Sequence, residues 1–158
     1  MQVRFIKESP DKYRLECIRD DGSMTSARLE FRGYFKHDLM HFVVESKAKL
    51  QDSFFGLVKS GKDLTELSPK AIRESAAVFP AEIQTTEIIV GALQGAAKTE
   101  ADNEEVCRKI EEYLSLISLA KPDYLTPEFC TQVTAEHRSL LGRWGQLHGG
   151  ESLEFSFS

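Results

Sequence analysis

Residues 37–45 read HDLMHFVVE, which places His37, Asp38, His41 and Glu45 at spacings of one, four and eight. On a helix, where successive residues turn by about 100°, these four side chains fall within roughly a third of the circumference. Phe35, Leu39, Phe42, Val43 and Ser46 take the other side, with Met40 on its flank. His37, His41 and Glu45 then stack one turn apart, so two imidazoles and a carboxylate can converge on one ion. Imidazole nitrogens and a carboxylate oxygen form a donor set for zinc and similar divalent metals, and H-x-x-x-H on a helix is a common way to supply it. His37, His41 and Glu45 are therefore the candidate ligands. Asp38 stands where a metal hydrolase of the H-E-x-x-H kind keeps its general base, but on a shorter arm.

The segment cannot close a site alone. No third histidine follows at short spacing, since FVVESK comes next. His137 shares a stripe with Phe129, Val133, Leu141 and Trp144, which points its imidazole inward and makes it the preferred ligand from across the site. Glu66, Glu74 and Glu82 are acidic alternatives, and nothing in the sequence separates them. The competing reading is a solvated helix face on which Asp38 or Glu45 simply holds a histidine by a hydrogen bond, and that reading leads.

Other constellations fail on physical grounds. GLVKSGKD, Gly56 to Asp63, approaches the phosphate-binding loop G-x-x-x-x-G-K-[ST], but that loop leaves a buried parallel strand and opens a helix. Here the entry side reads as helix, and Asp63 puts negative charge where a hydroxyl should hold magnesium. Gly61 is expected to be an ordinary helix stop. Cys17, Cys107 and Cys130 are few, odd in number and far apart, as expected of reduced, buried thiols. No G-x-S-x-G elbow appears, and His148 beside two glycines reads as a turn residue. Phe54, Phe55, Leu57 and Val58 form a compact apolar cluster that seals the core or, where exposed, marks a partner or homodimer surface.

The elements that must position these residues follow from periodicity. QVRFIKE, YRLECIRD and SARLEFR alternate apolar and polar residues with period two, and turns at Pro10-Asp11 and Asp21-Gly22 separate them. This describes a three-stranded antiparallel meander with one buried face. ESLEFSFS repeats the pattern at the far end, and the meander is the partner available to it. Helices are expected from Tyr34 to about Leu50, from Asp52 to Ser60, from Pro69, from Pro80 to about Lys98, through Val106–Ile117, and from Pro127 through Trp144. Strands, then helices, then a strand predict an α+β fold: a single domain over 1–158, its antiparallel sheet covered by helices on one face.

Composition narrows the class. The 158 residues carry 41% hydrophobic and 28% charged residues with a formal net charge of -5, a globular balance. An acidic chain without a basic stripe argues against nucleic acid as partner. No run approaches the roughly 18 apolar residues of a membrane span, and the charged N-terminus lacks a signal-peptide core. A cytoplasmic protein is expected.

HDLMHFVVE, the FFGLV that follows and the terminal W…GGESLEFSF together resemble small uncharacterised bacterial proteins. Those proteins carry a helix of the form H-D-L-x-H-x-x-V-E followed by an aromatic-Gly-Leu segment. The resemblance implies a bacterial origin and a shared fold, and it brings no activity with it. Two functions remain in competition. The first is a non-catalytic binding, regulatory or interaction module. The second is a metal-binding protein, extending to a metal-dependent hydrolase, built on His37, His41 and Glu45.

Overall fold

The computed structural model describes residues 1–68, 80–99 and 101–158. The fold is α+β, as its strand and helix periodicities predict. Strands β1 (Gln2–Ser9), β2 (Lys12–Ile18), β3 (Met24–Glu30) and β4 (Ser152–Ser156) form one antiparallel sheet in the order β3-β2-β1-β4. The C-terminal strand returns to the free edge of β1, pairing Phe5 with Leu153 and Val3 with Phe155. On the inner face Val3, Phe5, Tyr13, Leu15, Cys17 and Leu153 are buried. On the outer face arginines and glutamates alternate across the strands.

A π-helical turn, Phe31–Phe35, leads from β3 straight into helix α1 (Lys36–Ala48). Helices α2 (Phe54–Lys59), α3 (Ala81–Thr99), α4 (Asn103–Leu116) and α5 (Pro127–Gln146) follow. The starts of α5 and α4 are capped by side chains. The Thr126 hydroxyl accepts a hydrogen bond from the Phe129 N–H at 3.1 Å ahead of Pro127, and the Asp102 carboxylate accepts one from the Glu104 N–H. The segment expected to start a helix at Pro69, and with it Glu74, lies outside the described residues.

Helix α1 is the centre of the molecule. Phe35 stacks on Trp144 of α5 at 4.0 Å between ring centroids, and Phe42 meets Phe155 of the sheet at 4.5 Å. The Tyr13 hydroxyl donates to the Asp38 carboxylate and so ties the helix start to β2. The opposite side of α1, expected to face water, faces α3 instead. Every residue from Leu39 to Glu45 is buried, polar ones included. Polarity on this helix therefore marks an internal contact rather than a wet surface.

The FFGLV cluster is largely core: Phe55 and Val58 are fully buried, while Phe54 and Leu57 are partly so. Gly56 is required there, because a Cβ would lie 2.3 Å from the Gln51 carbonyl oxygen. Gly61 follows α2 at φ 118°, a left-handed position that glycine takes at little cost. All pairings in the sheet are antiparallel, so the setting of a phosphate loop is missing among the described residues. No described helix is long and apolar enough to cross a membrane.

Candidate metal centre

His37 and His41 project from α1 toward α3, their rings 4.6 Å apart and nearly perpendicular. Each is gripped at Nδ1 by an oxygen. The His41 Nδ1 lies 3.1 Å from the Glu45 Oε1, and the His37 Nδ1 lies 3.4 Å from the Gln94 Oε1 on α3. An oxygen at Nδ1 favours a proton there and leaves the Nε2 lone pair free to bind. Both Nε2 atoms turn toward Glu87, also on α3. His37 Nε2 stands 3.4 Å from one carboxylate oxygen and His41 Nε2 stands 3.3 Å from the other. The ligand atoms of His37, His41 and Glu87 lie within 4.8 Å of one another.

The His41 Nε2 is the distinctive atom of this arrangement. It is shielded from solvent and has no hydrogen-bond partner, because the Glu87 oxygen approaches it outside hydrogen-bond geometry. A buried polar atom left without a partner costs about 1–3 kcal/mol. A metal ion placed between the three residues would satisfy it.

Electrostatics describe the metal-free state, in which His41 carries a proton and Glu87 is its counter-ion at 3.3 Å. Burial works against charge on His41, but Glu45 and Glu87 outweigh it and hold the imidazole pKa up at about 10. Burial works in the other direction on Glu87, and the two histidines overcome it, drawing the carboxyl well below its usual range. In the metal-free protein a shared proton thus does part of the work that a cation would do.

Other residues singled out in the sequence lie elsewhere. Glu45 is fully buried behind His41, and its second oxygen accepts a hydrogen bond from the Phe55 N–H at 2.7 Å. It therefore orients a histidine and starts α2, on the far side of the ring from the converging nitrogens. The His137 Nε2 donates to the Lys36 carbonyl at 3.0 Å, pinning α5 to the start of α1, and burial lowers its pKa. Asp38 is held by Tyr13, and burial raises its pKa against that hydrogen bond. Glu82 accepts from the Asp52 N–H, and Glu66 from the Asp63 N–H. The three cysteines are free and buried, and burial pushes the Cys17 and Cys130 thiols up to about 12. His148 is an exposed turn residue beside Glu151.

Glu87 is the residue that sequence reasoning missed. It belongs to an unremarkable helix pattern, TEIIVGALQ, and its partners lie about 50 residues upstream. The faint signal available was that Glu87, Gly91 and Gln94 share one face at helical spacing. No family model matches the chain, and none of the curated proteins or solved structures compared is significantly similar to it.

Proposed function

We propose that the protein is a metal-dependent binding protein that holds one divalent transition metal of the zinc class through His37, His41 and Glu87. The single observation carrying this reading is the buried His41 Nε2, which makes no hydrogen bond and stands where His37 Nε2 and the Glu87 carboxylate also converge. Glu45 and Gln94 act behind the ligands and fix the imidazoles at Nδ1, as carboxylates and amides do around metal-bound histidines. Two nitrogens and one carboxylate leave a fourth position of a tetrahedral ion open to a ligand.

Support for binding over hydrolysis comes from Asp38. The residue in the position of a general base is half-buried on the Tyr13 side of the helix, with its carboxylate committed to that hydroxyl. An interaction module built on Phe54–Val58 draws little support, because Phe55 and Val58 have no exposed surface.

The test is zinc uptake by protein purified without an affinity tag. One equivalent of zinc is expected, with a thermal shift that grows with free metal. A folded His37→Ala, His41→Ala variant is expected to lose both. Absence of uptake by the wild-type chain, or undiminished uptake by the variant, would sink the proposal.

A further inference from the structure

Helix α3 carries an opening beside the candidate metal centre. Glu87 and Gln94 both reach His37, one at each ring nitrogen. Gly91 lies between them on the same helical face, one turn of about 5.4 Å beyond Glu87. A Cβ built on Gly91 would meet nothing within 4 Å. The space continues as an open groove of about 300 Å³ between α3 and α4, lined by Glu87, Ile88, Gly91, Ala92, Ile110 and Tyr113, with Lys109 at its rim. This volume lies at the lower end of small-molecule sites.

The groove and the metal centre therefore share one residue, Glu87. Its carboxylate meets two imidazoles. The rest of the groove is mainly apolar, with Gly91 and Ala92 contributing little bulk and the half-exposed Tyr113 lining it. A divalent ion held by two neutral imidazoles and one carboxylate keeps a net charge of about +1, so its open position favours an anionic oxygen donor.

Resting on the metal reading above, we propose that the groove is the ligand-binding extension of the metal centre. Its occupant is a small organic anion that binds the ion through an oxygen donor and lays a compact apolar or aromatic body over Gly91 and Ala92, against Ile88, Ile110 and Tyr113. Lys109, ion-paired to Glu105 at 2.6 Å, contributes a cation at the rim. Specificity in this site comes from the body of the ligand, because the ion and Lys109 read only its charge and donor oxygen.

The experiment titrates zinc-loaded protein with two hydroxamic acids by calorimetry. Acetohydroxamate offers the metal-binding head alone, and benzohydroxamate adds a phenyl ring of the size of the groove. Wild-type protein is expected to bind benzohydroxamate about tenfold more tightly, the gain for partly burying one ring. Gly91→Leu fills the floor from a position where leucine suits the helix. It is expected to leave zinc stoichiometry and acetohydroxamate affinity unchanged and to abolish the tenfold preference. Tyr113→Ala, at an exposed position that tolerates truncation, is expected to reduce the preference by a second route. Equal affinities for the two compounds in the wild type, or a preference that survives both substitutions, would overturn the groove assignment while leaving zinc binding intact. Failure of the metal reading looks different, because no zinc would then be bound for either compound to meet.

Discussion

Two sets of charged side chains sit on opposite sides of this molecule and obey different rules. On the outer face of the sheet, Glu154, Arg4, Glu16, Arg14, Glu8 and Arg28 alternate in sign across all four strands. Arg4 bridges Glu154 and Glu16 at 3.0 Å each, Arg14 meets the other Glu16 oxygen at 2.7 Å, and Glu8 accepts from Arg14 and Arg28 at 3.2 Å. Each anion there has a cation opposite, so the ladder is complete in itself. Between α1 and α3 the balance is unequal. His37 and His41 face Glu87, Glu45 stands behind, and a buried nitrogen lacks a hydrogen bond. A set that closes on itself needs no ligand. The second set leaves a shielded nitrogen without a hydrogen bond, and the metal proposed above would supply its partner.

Glu45 is where the comparison breaks most sharply. It is fully buried and serves two elements at once, the His41 ring and the first turn of α2. Glu45→Ala leaves both without an acceptor and is expected to cost about 3–5 kcal/mol in urea denaturation, the usual result of removing one partner of a buried pair. Glu45→Gln keeps an oxygen for the Phe55 N–H and is expected to cost less. Its zinc affinity should still fall by about 10–100-fold, since His41 loses its charged anchor. An unchanged zinc affinity in a folded Glu45→Gln protein would remove Glu45 from the site.

The difference between the two regions also explains what was legible in the sequence. The ladder belongs to the sheet, and period-two alternation in QVRFIKE, YRLECIRD and ESLEFSFS is a local signal that predicts both strand and face. The return of β4 to the meander followed because no other strands were there to accept it, while its place beside β1 is a finding of the structure. Along α1, the i, i+4 spacing placed His37 and His41 together, since a single helix fixes that geometry. Glu87 could not be read in the same way. Its approach depends on how α3 crosses α1, a tertiary contact that no local period encodes. The same contact buried His41 and Glu45, whose polarity in isolation describes a wet face. His137 misled for a related reason: its inward direction was legible, but the Lys36 carbonyl that receives it was not.

Acidity supplies the next test. In the metal-free protein the pKa of His41 is raised from 6.5 to about 10, with Glu45 and Glu87 overcoming burial. The folded state therefore keeps a proton that the unfolded chain releases first. The resulting stability is fully present below pH 6.5 and is lost as the pH rises through about 10. Because Glu87 is half exposed, solvent screening reduces the contribution to about 1–2 kcal/mol. Urea midpoints of metal-free protein are expected to fall across this window, and less steeply in Glu87→Gln. An equal slope in the two proteins would show that Glu87 does not hold the His41 proton.

The sheet ladder should yield the smallest effect, and its sign is informative. Arg14 and Arg28 are direct cross-strand neighbours in the β2–β3 register, a like-charge pairing that disfavours the sheet. Glu8 reconciles them by accepting from both. Arg28→Ala removes an exposed ion pair and the repulsion together, so it is expected to change stability by less than about 0.5 kcal/mol. Glu8→Ala leaves the two guanidinium groups opposed and is expected to cost about 1 kcal/mol. Neither substitution should alter zinc uptake. If Arg28→Ala proved the more costly of the two, Glu8 would not be the group that reconciles the arginines, and the ladder would be a set of separate pairs rather than one balanced array.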